Sequence, residues 1–181
     1  MTKALLIIDI QNDYFAGGAM ELVGPDAAAH NAARILASFR DQRLPVIHVQ
    51  HHALSSTSTF FVPGTHGVKI HESVAPFDGE IVITKNFPNA FRRTNLKDVL
   101  AGLNLEQLVV VGMMTHMCID TTVRAANDFG FKVALVGEAC ATLDLEYDGR
   151  TVAAADVQAS YLAAIDGSFA TVVATDALVG E

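Results

Sequence analysis

A cysteine, an aspartate and a lysine stand at three points of this sequence where a nucleophile, a proton carrier and a positive charge could cooperate. Cys118 lies in VVVGMMTHMCIDTTVRAA, Val109–Ala126, which opens as an apolar β-branched strand and closes as a helix. A thiol in the first turn of a helix faces unpaired N–H groups and partial positive charge. That setting is expected to lower the thiol pKa and favour the thiolate. The same N–H groups can hold the oxyanion that develops when a carbonyl is attacked. Asp9 ends the first apolar run, in IIDIQND, and Lys85 ends another, in IVITKNFPNAF. Phe87, Pro88 and Phe91 are expected to wall the lysine with apolar surface, so that its ammonium favours an anionic partner. Each residue also has an ordinary reading: a turn carboxylate, a solvated lysine, a small buried hydrophobe. Cys140, inside VGEACAT, fits the last of these. Together the three give the general form of an activated nucleophile. His116 stands two residues before Cys118, a spacing at which helical side chains do not face each other, and reads as pocket lining. Asp13, in QNDY, reads as loop chemistry.

The elements that must position these residues alternate in type. Strands are predicted over Ala4–Ile10, Pro45–Gln50, Glu80–Lys85, Glu106–Met113, Lys132–Cys140 and Ala170–Thr175. Helices are predicted over Asp26–Gln42, from a Thr94 cap through Leu100, from Cys118 to about Phe129, and over Thr151–Ile165. Continuous apolar strands separated by helices imply a parallel sheet covered on both faces. The expected fold is α/β: a three-layer α/β/α sandwich with a mostly parallel six-stranded sheet, in one domain over residues 1–181. Ligands in such sheets bind beyond the carboxyl ends of the strands, where strand order reverses.

Bulk properties narrow the function. With 51% hydrophobic and 18% charged residues the chain is not disordered, and its net charge of −8 disfavours nucleic acid. No apolar run approaches a membrane span, and MTKALLIIDIQNDY reads as a first strand rather than a signal peptide. Two cysteines without a CxxC indicate no disulfide framework, so a reduced cytoplasmic compartment is expected. A small-molecule substrate is the expected partner, and no cofactor is called for. No GxGxxG follows the first strand, which disfavours a dinucleotide enzyme.

The chain resembles the isochorismatase-like cysteine hydrolases, the superfamily that includes nicotinamidases and N-carbamoylsarcosine amidase. The carriers are LLIIDIQNDYFAGGAMEL, PGTHGVKIH, ITKNFPNAF and VVVGMMTHMCIDTTVRAA. The resemblance implies a catalytic triad of Asp9, Lys85 and Cys118. It implies a non-proline cis peptide at Met113–Met114, which would turn the N–H groups of Met114 and Cys118 into an oxyanion hole. Pocket walls are expected from Tyr14, Phe60, Phe61, Phe87, Phe91 and His116. Members are commonly oligomeric, and the aromatic loop SSTSTFF offers a subunit contact, so a homo-oligomer is expected.

One departure matters. Nicotinamidases carry a metal on Asp-x-His after strand two and a later histidine. Here Gln50 stands in place of the aspartate, His52 matches, and Phe60 falls where the later histidine would align, so no metal is expected. His51, His52, His66 and His71, with Glu72 nearby, keep a metal reading open. The expected activity is hydrolysis of an amide, ureido or carbamoyl C–N bond through a Cys118 thioester. A vinyl-ether hydrolase of the isochorismatase type and a non-catalytic binding protein on the same fold are the alternatives.

Overall fold

Strand β1, Lys3–Ile8, sorts its side chains by parity: Leu5 and Ile7 enter one apolar cluster, and Ala4, Leu6 and Ile8 enter another. That period-two division requires cover on both faces of the sheet. In the computed structural model, which describes residues 2–179, the cover is helical on both sides. Residues 1, 180 and 181 of the expected domain lie outside that span. Helix α1, Pro25–Asp41, packs Ala28, Ala32, Ile35, Leu36 and Phe39 on the first face. On the second lie α2 (Leu96–Gly102), α3 (Asp120–Asp128) and α4 (Ala154–Ile165), through Leu96, Leu100, Val123, Ala126 and Ile165.

The sheet holds β2 (Val46–His51), β3 (Ile81–Lys85), β4 (Gln107–Met113), β5 (Val133–Ala141) and β8 (Thr171–Val173) besides β1. All its pairings are parallel, in the order β3-β2-β1-β4-β5-β8. The chain builds outward from β1 through β2 to β3, then returns to β4 on the other side of β1. The reversal makes the carboxyl ends of β1 and β4 the place where sheets of this kind bind ligands. Gly112 lets the two strands approach there. It has φ 136°, and a Cβ on it would stand 2.0 Å from the Ile8 carbonyl oxygen.

Several boundaries differ from expectation. Strand β1 stops before Asp9, whose φ of 53° takes the backbone out of the extended region. Strand β2 runs one residue further, to His51. The helix expected from Cys118 begins as α-helix only at Asp120. Cys118 sits in a wider turn, Thr115–Ile119, in which the Ile119 N–H reaches back five residues to the Met114 carbonyl at 3.2 Å. The helix expected from Thr151 starts at Ala154, whose N–H donates to Asp144 Oδ1 at 2.7 Å. The residues before it form an antiparallel hairpin, β6 (Leu145–Tyr147) and β7 (Arg150–Val152). Asp148 and Gly149 link those strands at φ 49° and 70°, the positive values a two-residue hairpin turn needs. Among the described residues no helix is long and apolar enough to cross a membrane.

Candidate active site

Four strand ends deliver four side chains to one point. Asp9 follows β1 directly, its N–H held by the Val49 carbonyl at 3.0 Å. Lys85 closes β3, and the register of β2 on β3 sets His51 beside it. Cys118 comes from the wide turn after β4. Asp9 and Lys85 are wholly buried and Cys118 is 4% exposed. Lys85 Nζ lies 2.6 Å from Asp9 Oδ2, donates to Cys118 Sγ at 3.2 Å, and lies 2.8 Å from His51 Nδ1. The ammonium thus links a carboxylate, a thiol and an imidazole. Both carboxylate oxygens of Asp9 are buried without a hydrogen bond of full geometry among the described residues, and Oδ2 is held by its ion contact with Lys85.

Burial dominates the charge states. It pushes the Asp9 carboxyl up, against the attraction of Lys85. It opposes the Lys85 ammonium too, but Asp9 first, and then Cys118, outweigh it and hold the lysine protonated. His51 falls to about 3, through burial first and then the repulsion of Lys85 and His52, so its ring is neutral. Cys118 corrects an expectation: its thiol is pushed far up, by burial and then by Asp9, against the lowering effect of Lys85. A helix N-terminus lowers a thiol pKa where the sulfur keeps some hydration. Here the sulfur is enclosed and shares its site with a carboxylate, so the resting group is a neutral thiol beside a proton acceptor.

The surrounding shell combines residues legible in the sequence with others that were not. Gln11 clamps His51 at both backbone groups: its Oε1 accepts the His51 N–H at 2.7 Å and its Nε2 donates to the His51 carbonyl at 3.0 Å. Asp13 is buried, and its Oδ2 accepts the Phe61 N–H at 2.6 Å. That bond holds Phe61, at φ 53°, against Tyr14 and His51, with ring centroids 4.7 and 5.6 Å away. Phe60 packs against Phe61 at 4.9 Å. Tyr14 is buried close enough to Cys118 and Asp9 for their charges to help raise its pKa, after burial itself. The other expected wall residues have partners of their own. Phe87 lies under the Arg92 guanidinium at 3.8 Å, and Phe91 packs edge-on to Phe129 at 5.1 Å. His116 pairs with Thr142 Oγ1 at 2.6 Å and meets Tyr161 edge-on. The Met113–Met114 peptide is cis, and the Met114 carbonyl accepts the N–H groups of Met117 and Ile119.

Sequence reading placed His51 in a possible metal segment and missed it as a neighbour of Lys85. Its signal was the alternation of β2. His51 follows Val49 by two residues, whereas Gln50, the residue aligned with a metal ligand, falls on the opposite face. Gln50 Nε2 donates to the Val68 carbonyl at 2.7 Å. His66 and His71 line a separate cavity of about 480 Å³ with Asn12 and Asp13. The residues aligned with the nicotinamidase metal site therefore do not fit a metal: an amide engaged with backbone and a packed phenyl ring replace two ligands. Among the described residues, the group with ligand atoms close enough for one ion is Asp9, His51 and Cys118, all within 4.8 Å of one another. Lys85 puts its own ammonium against each of the three.

The isochorismatase domain family matches residues 3–177. YddQ of Bacillus subtilis, an uncharacterized isochorismatase family protein, is 48% identical over 179 residues, covering 99% of each chain. A crystal structure from Oleispira antarctica, of a protein assigned to the isochorismatase hydrolases, superposes with TM-score 0.95 at 50% identity, over 98% of this chain and 96% of that one. A maleamate amidohydrolase of Pseudomonas putida is 31% identical over 149 residues, 75% of this chain and 70% of that protein.

Proposed function

The chain belongs to the isochorismatase family of hydrolases, and from that premise we propose that it cleaves an amide, ureido or carbamoyl C–N bond of a small molecule through a thioester on Cys118. The observation that carries this reading is the contact of one buried ammonium with both a thiol and a carboxylate. A vinyl ether needs a proton donor but no sulfur nucleophile, so the placement of Cys118 against Lys85 and Asp9 favours carbonyl chemistry. The resemblance to an amidohydrolase supports the same bond class.

The charge states suggest the order of proton movements. The thiol rests neutral, so Asp9 takes its proton as sulfur attacks the carbonyl carbon. Burial has already raised the affinity of Asp9 for that proton. Lys85 stays protonated and offsets the negative charge as it passes from carboxylate to sulfur and on to the carbonyl oxygen. The N–H groups of Met114 and Cys118 receive the oxyanion. Collapse breaks the C–N bond, and Asp9 returns its proton to the leaving nitrogen. Water then attacks the thioester with Asp9 as base, releasing the acid and restoring the thiol.

The test is a screen of primary amides, ureas and carbamoyl compounds, with intact-mass detection of the enzyme during turnover. Release of amine, with transient acyl mass on the peptide carrying Cys118, is the expected result. Turnover of isochorismate with no amide consumed would reassign the site to ether cleavage.

A further inference from the structure

Lys85 carries three protons on its ammonium, and three acceptor atoms surround it. Asp9 and Cys118 account for two. The third is His51 Nδ1, at 2.8 Å. A buried ammonium with an unpaired N–H would be costly, and a side chain with four rotatable bonds needs every contact to hold one orientation. We propose that His51 is a positioning residue: its Nδ1 is the third acceptor, fixing the Lys85 ammonium between Asp9 and Cys118. The proposal rests on the reading of Cys118 as nucleophile and adds a residue to that site.

Three observations support it. First, His51 cannot drift, because Gln11 grips its N–H and its carbonyl and Phe61 packs against its ring. Second, the ring is neutral at any pH above about 3. It therefore accepts from Lys85 through an unprotonated Nδ1, which leaves the other proton on Nε2. Third, neutrality suits the location. A second carboxylate there would hold the ammonium equally well but would add negative charge beside a sulfur that must become anionic. An imidazole orients the cation without opposing the thiolate. The groups facing the ring are Lys85 and His52, with Asp9 and Cys118 beyond the ammonium.

Two measurements test this on the full chain. The first is the rate of Cys118 alkylation by iodoacetamide against pH, with peptide mapping, for wild type, His51→Asn and His51→Leu. Both replacements branch at Cγ into two terminal groups, but only asparagine offers an acceptor. Leucine should slow alkylation by roughly 10–100-fold, the scale of one hydrogen bond to a charged group, and displace the rate–pH curve to higher pH. Asparagine should recover at least part of the loss. Equal rates for the two variants, whether both slow or both normal, would reduce His51 to packing and overturn the proposal. The second measurement is independent of any sulfur chemistry: nitrogen-15 shifts of the His51 ring. The expected signature is Nδ1 unprotonated and Nε2 protonated from pH 8 to pH 4, with the His51 pKa rising in Lys85→Met. A ring protonated at Nδ1 near neutral pH would refute the contact. If the ring signature holds but Cys118 labels no faster than Cys140, the nucleophile reading has failed while the Lys85–His51 pairing stands.

Discussion

The sheet carries two clusters built from the same parts, a cation, a carboxylate and an imidazole on β2, and they behave in opposite ways. Toward one end Glu80 gathers Arg40 Nε and Nη2 at 2.7 and 2.8 Å, His48 Nε2 at 2.9 Å and the Phe77 N–H at 2.9 Å. At the carboxyl ends of the strands Asp9 has the Lys85 ammonium, and its second oxygen lacks a partner. The Glu80 carboxyl falls to about 2, chiefly through Arg40, whereas burial raises that of Asp9. A carboxylate that gathers four such contacts holds its charge and joins elements together. One that is buried and under-satisfied is ready to accept a proton. The contrast teaches that donor count, more than residue type, separates an ion cluster that holds the fold from one suited to chemistry.

The strongest way to break that contrast is at the carboxyl-end cluster. Cys118→Ser should cost on the order of 10⁴–10⁶ in kcat, since a hydroxyl is a far weaker nucleophile and members of a catalytic unit fail together. Asp9→Asn keeps the shape and removes the proton carrier, and should cost roughly 10²–10⁴. The double variant should be little worse than Cys118→Ser. Single-turnover kinetics on a cleaved amide measures all three. Fully multiplicative losses would mean that Asp9 and Cys118 do not share a proton.

The partner experiment removes a carboxylate that should matter only to the fold. Glu80→Gln loses the charge that Arg40 and His48 share, and should lower stability by about 1–3 kcal/mol with kcat changed less than threefold. The acid limb sharpens this. The carboxyl of Glu80 titrates near 4.5 unfolded and about 2 folded. Its contribution is therefore whole above pH 4.5 and is lost as pH falls toward 2. Burial lowers the pKa of His48 from 6.5 in the fold, so protonation penalises the native state below that pH. Both act in the same sense: stability declines on acidification, from about 6.5 through His48 and from 4.5 to 2 through Glu80. Denaturant unfolding across this range should show the second segment flattened in Glu80→Gln. A variant with an unchanged acid limb would place the stabilisation elsewhere.

The same contrast explains what could be read from sequence. Apolar strand runs and helical patterns are local, so the layers and the six parallel strands were legible. Asp9, Lys85 and Cys118 were legible because each interrupts or ends an apolar run. His51 was not, because its role depends on which strand lies beside β2 and at what register. Gln11 and Asp13 were missed for a related reason: both look like loop residues until residues 60–71 fold back onto them. Gly67 shows how close that return is, since a Cβ on it would stand 1.9 Å from Asp13 Oδ1. The β6–β7 hairpin was legible through its Asp148–Gly149 pair and was overlooked in favour of the helix that follows. The direction of the Cys118 shift depends on enclosure, which no local pattern conveys.

The mildest perturbation compares the two sulfurs. Cys140 is nearly as buried as Cys118, and burial pushes its thiol up to about 12. Its Sγ lies 3.4 Å from the Val136 carbonyl, to which it donates, and among the described residues no charged group contributes to its shift. Both thiols therefore rest protonated, so a difference in their reactivity reports the neighbours rather than the starting charge. On the proposed mechanism Asp9 takes the Cys118 proton and Lys85 offsets the resulting charge, whereas Cys140 has neither partner. Brief iodoacetamide treatment at neutral pH should label the peptide containing Cys118 well before that containing Cys140. Cys140→Ala should leave turnover unchanged and cost about 1 kcal/mol of stability, the scale of removing one buried heavy atom. Equal labelling would show that enclosure alone governs both sulfurs, and the distinction between a buried cysteine and a buried nucleophile would then have no basis in this site.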